Sequence, residues 1–157
     1  MMLKISLPND VRVAIESACR AAGTRETGGM LFGEHLAEGE FRVVQATRAG
    51  TGSFARFVRR VADGLGHLER FFLRTNRNYV RFNYLGEWHS HPSFALHPSG
   101  PDDAAMFDIV KDPTTGARFA VSMIVKLLPD GSLGARTFAY FPGGERQDCE
   151  LVFEGAI

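Results

Sequence analysis

Cysteine is nearly absent from this 157-residue chain: Cys19 and Cys149 stand far apart, and no Cys-x-x-Cys pair occurs. Neither a disulfide framework nor a cysteine-ligated zinc site is expected, and both thiols read as ordinary buried or half-buried side chains. Net charge is absent too. Lys plus Arg and Asp plus Glu number 18 each, so no bulk field favours nucleic acid or an anionic membrane; Arg56, Arg59 and Arg60 form only a local basic patch. No apolar run approaches the roughly 20 residues needed to span a bilayer. The start, Met1-Met2-Leu3-Lys4-Ile5-Ser6, is too short and interrupted for a secretory h-region, so a cytoplasmic protein is expected. Repeats, low-complexity tracts and a glycine-rich phosphate loop are missing, since Gly28-Gly29 and Gly143-Gly144 are only dipeptides.

What is present suits one compact domain over residues 1–157, because 45% hydrophobic and 11% aromatic content supplies a core. Asn9 or Asp10 can cap a first helix, in which Val11, Ala14, Ile15, Ala18, Cys19 and Ala22 recur at helical spacing until Gly23. Glu26 to Gly33 reads as a strand entered through glycines and Phe41 to Ala46 as its hairpin partner, with Glu34, Glu38 and Glu40 in the polar turn. Residues 47–60 read as an irregular segment. A second helix is expected from Asp63 to Thr75, carried by Leu65, Leu68, Phe71 and Phe72. Tyr84 to His91 reads as a central strand stopped by Pro92, and Pro101 to Asp112 as a third helix. Three further strands are expected at Phe119 to Leu128, Leu133 to Tyr140 and Cys149 to Phe153. Helices and strands mixed without a regular βαβ rhythm predict a small α/β sandwich.

The chemistry concentrates in His89-Ser-His-Pro-Ser-Phe-Ala-Leu-His-Pro-Ser-Gly-Pro-Asp102. Side chains two apart on a strand share a face, so His89 and His91 can converge while the loop returns Asp102 towards them. Three protein ligands with a fourth position left for water is the arrangement of a catalytic zinc site. A plain alternative stands beside it: Ser99 as N-cap and Asp102 as a capping-box acid describe an ordinary helix start, and Asp103 is a neighbouring rival ligand. Trp88 is expected on the opposite face, in the core. His97 reads as a loop residue or outer contact, and His35 and His67 as surface histidines.

The run His89-x-His91-Pro92, six residues, Ser99, two residues, Asp102 resembles the JAMM signature of the JAB/MPN/Mov34 (MPN+, PAD-1) zinc metalloproteases. Glu26, in Glu-Thr-Gly-Gly-Met-Leu-Phe-Gly, matches the setting of that family's upstream glutamate. The resemblance implies a small bacterial single-domain member, with a three-layer MPN (JAB, cytidine-deaminase-like) sandwich whose mixed β-sheet is flanked by helices. It implies Zn²⁺ held by His89, His91 and Asp102, with Glu26 handling the proton of water and Ser99 supporting the developing oxyanion.

Imidazoles and a carboxylate suit zinc, which makes water a usable nucleophile near neutral pH. A carboxylate such as Glu26 can accept the water's proton and return it to a poor amine leaving group. Glu87, two residues before His89, is the rival base. The implied activity is hydrolysis of an amide or isopeptide bond at the C-terminal tail of a ubiquitin-like or sulfur-carrier-like protein. An E1/E2-like conjugation system encoded in the same operon would accompany it. The alternatives are release of an amino acid from a carrier protein or small amide by the same site, and an inactive MPN interaction scaffold. The chain lacks the His-x-Glu and Pro-Cys-x-x-Cys of a zinc deaminase.

Overall fold

The computed structural model describes residues 2–48, 69–113 and 118–155. They form one eight-stranded mixed sheet with helices on both faces, the α/β sandwich expected. In chain order the strands are β1 (Lys4–Leu7), β2 (Gly28–Ala37), β3 (Glu40–Ala46), β4 (Phe82–Ser90), β5 (Ala120–Leu127), β6 (Leu133–Tyr140), β7 (Arg146–Asp148) and β8 (Glu150–Phe153). Their order across the sheet is β7-β6-β5-β4-β2-β3-β1-β8. The hairpins β2/β3, β5/β6 and β6/β7 are antiparallel, as is β2/β4, while β4/β5, β1/β3 and β1/β8 are parallel.

The two outermost strands follow each other in sequence, so the sheet has to curl until its edges approach. Cys149 makes the join: its N–H donates to Thr137 O of β6 at 3.0 Å, and the next N–H, of Glu150, donates to Leu3 O at 2.8 Å. Inside the curl lies α1 (Asn9–Ala22). Its Val11, Ile15, Ala18 and Cys19 pack against Ile5, Leu7, Leu31, Val43, Leu85, Trp88, Val121, Met123 and Val125. The outer face carries two smaller clusters. Met106, Ile109 and Val110 of α2 (Gly100–Lys111) cover Ala120, Ile124, Phe138 and Tyr140. Residues 69–74, also helical, set Phe71 on Phe32 with ring centroids 4.6 Å apart.

Several expectations need revision. Pro8 rather than Asn9 or Asp10 is the N-cap of α1, and no side chain caps it: the fixed φ of −65° leads the chain from β1 directly into the helix. Gly23 ends α1 with φ +64°, where an L side chain is disfavoured. β2 runs on to Ala37, so Glu34 sits in the strand rather than in the turn, 6% exposed and ion-paired to Arg81 and Arg42. β1 and β7 are unanticipated; at four and three residues they are too short to show a period. Residues 49–68 lie outside the described residues, and with them Arg56, Arg59, Arg60, His67, most of the segment 47–60 and the first part of the helix expected over 63–75.

Candidate metal centre

A bulge decides which side chains of β4 reach the outer face. Leu31 pairs with Gly86 and Phe32 with Tyr84, leaving Leu85 as the extra residue. Gly86 has φ +157°, and a Cβ on it would fall 1.8 Å from Val121 O. The bulge turns Leu85 and Trp88 together towards α1, where Trp88 is 1% exposed and its indole N–H donates to Thr47 O at 2.8 Å. Trp88 is thus core, as expected. Tyr84, Glu87 and His89 fall on the other face, and Tyr84 OH donates to Glu87 Oε1 at 2.9 Å.

His91 lies just beyond β4, yet its N–H still donates to Val125 O at 2.8 Å, which keeps the chain extended until Pro92. Its Nδ1 stands 2.9 Å from Ala95 O. A carbonyl only accepts, so Nδ1 carries the proton, and in the neutral ring Nε2 holds the lone pair. His89 Nε2 and His91 Nε2 are 2.9 Å apart, and Asp102 Oδ2 lies 3.3 Å from the first and 3.2 Å from the second. All three residues are buried, and their donor atoms lie within 4.8 Å of one another. Donors about 2.0–2.1 Å from one tetrahedral zinc stand roughly 3.3 Å apart. The donor set and its spacing therefore fit a zinc-type site.

Asp102 is also the capping-box acid, so the two readings of Ser99-Gly100-Pro101-Asp102 coexist. Ser99 Oγ accepts from Asp102 N–H at 3.2 Å, and Ser99 N–H donates to Asp102 Oδ2 at 2.9 Å. The oxygen that closes the cap is the one facing the histidines. Burial pushes the Asp102 carboxyl up, but the bonds to His89 and His91 and the Ser99 N–H outweigh it and hold the group far below the carboxylate range. Burial drives the His89 imidazole down. At His91 burial also pulls down, yet Asp102 and the Ala95 carbonyl raise it overall. The rival Asp103 points away, accepting from Tyr140 OH at 2.6 Å and from Arg146 at 2.8 and 2.9 Å.

Glu26 approaches from the segment that leads into β2, which starts at Gly28 rather than at Glu26 as expected. Gly28 pairs with His89, and Ser90 N–H donates to Thr27 O at 2.8 Å, so continuing the antiparallel register sets Glu26 across from His91. Gly28 makes the approach possible, since a Cβ there would meet Trp88 O at 2.3 Å. The half-buried Glu26 carboxyl is raised by burial, drawn down by His91 and raised again by Asp102, so it feels both. Glu87 is 3% exposed, and burial pushes it up to about 8 against the bond from Tyr84. A carboxyl that stays protonated near neutral pH is a poor base, which weakens the rival to Glu26.

His97 packs its ring edge-on against Phe138, 6.0 Å between centroids, and His35 stacks on Phe41; neither joins the cluster. The thiols do not join either. Burial raises Cys19 to about 11 and Cys149 to about 12. Sequence reasoning missed Ser90, whose Oγ accepts from Thr27 N–H at 3.0 Å beside Glu26, and the grip of Tyr140 and Arg146 on Asp103. The second had a faint signal: Tyr140 and Arg146 bracket Phe141-Pro142-Gly143-Gly144-Glu145, a turn sequence that makes them cross-strand neighbours.

Comparison with known proteins bears on these residues. The chain is 34% identical over 123 residues to a protein of Enterobacter hormaechei subsp. hoffmannii (strain UCI 50) named CD-NTase/cGAS isopeptidase, a match covering 74% of this chain. The chain spans only 63% of that relative's length. The solution structure of a Desulfitobacterium hafniense protein overlays on 98% of this chain and 94% of its own, at TM-score 0.67 and 17% identity, a likeness of fold alone. The family model described as prokaryotic homologs of the JAB domain matches residues 8–133, a span that holds Glu26, His89, His91, Ser99 and Asp102. The chain belongs to the prokaryotic JAB-domain family.

Proposed function

We propose that this protein is a zinc-dependent JAMM-type isopeptidase that hydrolyses an amide or isopeptide bond at the C-terminus of a ubiquitin-like or sulfur-carrier-like protein. The observation that carries the reading is the convergence of His89, His91 and Asp102 within 4.8 Å, with Glu26 on the segment that leads into the adjacent strand β2. His89 Nε2, His91 Nε2 and Asp102 Oδ2 would hold the ion, which supplies a Lewis acid that acidifies water and polarises a carbonyl. The proton held by His91 Nδ1 against Ala95 O keeps Nε2 turned inward. Glu26 takes a proton from water and delivers it to the leaving amine; its half-buried, raised carboxyl suits that shuttle better than the buried Glu87 does. Ser99 Oγ accepts from Asp102 N–H, which leaves its own O–H to donate to the substrate carbonyl oxygen as charge builds there.

The substrate part of the reading rests on family likeness. The Enterobacter relative's name pairs isopeptidase with CD-NTase/cGAS, so a CD-NTase conjugate is the second substrate to assay. The decisive experiment incubates zinc-loaded protein with isopeptide-linked, linear and carrier-aminoacyl substrates and follows the released amine. Cleavage of the isopeptide bond supports the proposal. Preference for the carrier-aminoacyl compound moves it to amino-acid release, and full zinc occupancy with no cleavage of any substrate leaves an interaction scaffold.

A further inference from the structure

We infer that Tyr140 and Arg146 are positioning residues for the Asp102 carboxylate, acting through its neighbour Asp103. The inference rests on the metal-site reading and extends it to a part of the chain that the reading does not use. Tyr140 ends β6 and Arg146 begins β7, and the two are directly paired across the hairpin. Both reach the same acceptor. Tyr140 OH donates to Asp103 Oδ1 at 2.6 Å, and the Arg146 guanidinium donates to Oδ1 at 2.9 Å and to Oδ2 at 2.8 Å.

Successive residues of a helix point about 100° apart. Asp102 can therefore face the histidines of β4 while Asp103 faces the β6/β7 hairpin, and the first turn of α2 is gripped from two sides. The capping box does not provide that grip. Ser99 and Asp102 bind each other, which fixes Asp102 within its own segment but not relative to the sheet. The buried apolar anchors of α2 lie further along, at Ala105, Met106, Ile109 and Val110. At the start of the helix, besides the contacts of Asp102 Oδ2 itself with His89 and His91, Asp103 ties the first turn to Tyr140 and Arg146, joined one turn later by Phe107, whose ring meets that of Tyr140 edge-on at 5.0 Å.

The setting separates this contact from a loose surface ion pair. Tyr140 is fully buried, and the Arg146 and Asp103 side chains keep only 29% and 31% of their exposure. Tyr140 and Arg146 also lie beyond residue 133, where the family match ends, whereas the proposed ligands lie inside it. The C-terminal hairpin thus braces a site whose ligands come from elsewhere in the chain.

The test measures zinc affinity by competition with a chromophoric chelator, cobalt(II) absorption as a report of ligand geometry, and thermal midpoints of the metal-free protein. Arg42, which holds Glu154 at 2.6 Å at the other edge of the sheet, supplies the control ion pair. Arg146→Ala is expected to weaken zinc about tenfold, the lower end of losses seen when a metal ligand's supports are removed, and to alter the cobalt spectrum. Arg146→Lys should recover part of that loss because it keeps the charge but not the fork. Tyr140→Phe, which removes one hydroxyl, should weaken zinc severalfold and remains informative if Arg146→Ala fails to fold. Arg42→Ala should leave zinc affinity unchanged whatever its midpoint does. The inference is overturned if Tyr140→Phe and every folded Arg146 variant bind zinc as the wild type does, or if Arg42→Ala weakens it equally. Wild-type protein that binds no zinc would overturn the metal-site reading and this inference together, whereas normal wild-type binding with unaffected variants would overturn this inference alone.

Discussion

On the inner face of β4, Leu85 and Trp88 press against α1 among apolar side chains; on its outer face Tyr84, Glu87 and His89 stand in a row. The faces belong to the same strand but carry different burdens. Trp88 loses its hydration without difficulty because its single polar atom is bonded to Thr47 O. His89 and Glu87 are as deeply buried, yet they are ionisable, so each distorts its own protonation and that of its neighbours. One face stabilises the sheet, and the other carries buried ionisable groups at a cost in stability.

Substitutions can break this division, and the largest effects belong to the outer face. His89→Ala or Asp102→Asn should remove bound zinc and with it all measurable turnover; zinc stoichiometry near one in both variants, measured by elemental analysis, would mean that the ligands are other residues. Glu26→Gln should keep zinc and lower kcat by about 10²–10⁴-fold, the usual contribution of a general base. Near-normal kcat in that variant would shift the proton transfer to another group. On the inner face, Trp88→Ala should cost about 3–5 kcal/mol in denaturant unfolding, with zinc still bound by the folded fraction. If zinc is lost while the fold survives, the two faces are not independent.

The effect of Glu87, smallest for any single step of pH, sharpens the comparison in another way. Native Glu87 keeps its proton up to about 8, whereas the unfolded chain releases it near 4.5. Between those values the native state binds more protons than the unfolded one, so stability falls as pH rises across this window. The slope is at most about 1.4 kcal/mol per pH unit from this group. Glu87→Gln should flatten the fall, as read from unfolding free energies at several pH values, and parallel profiles would show that Glu87 titrates normally.

The proposed ligands were legible because they lie within fourteen residues and obey local rules: strand alternation for His89 and His91, a helix start for Asp102. The strands and helices around them were legible for the same reason, apart from β1 and β7, which are too short to display a pattern. The bulge at Leu85 was not. Simple alternation would put Leu85 beside Glu87, and only the pairing of Gly86 with Leu31 and the close approach to Val121 O reveal the slip. Contacts that depend on sheet order were equally hidden: Ser90 beside Thr27, and Asp103 beneath Tyr140 and Arg146, are 63, 37 and 43 residues apart. Asp102 shows how a local rule can mislead by being right, since its cap explains it fully and still leaves its Oδ2 facing His89 and His91.

The order of the strands also sets a timetable for the chain as it is made. β1 is made well before β8, one of its two neighbours, and the pairing of Lys4 to Leu7 with Glu150 to Phe153 waits for every strand that lies between them in the chain. Contacts this distant in sequence are slow to find. Ile5 and Leu7, fully buried at the end, therefore spend synthesis on a strand with one open side. β4 and α2, which carry the proposed ligands His89 and Asp102, can meet through β5 long before that side closes.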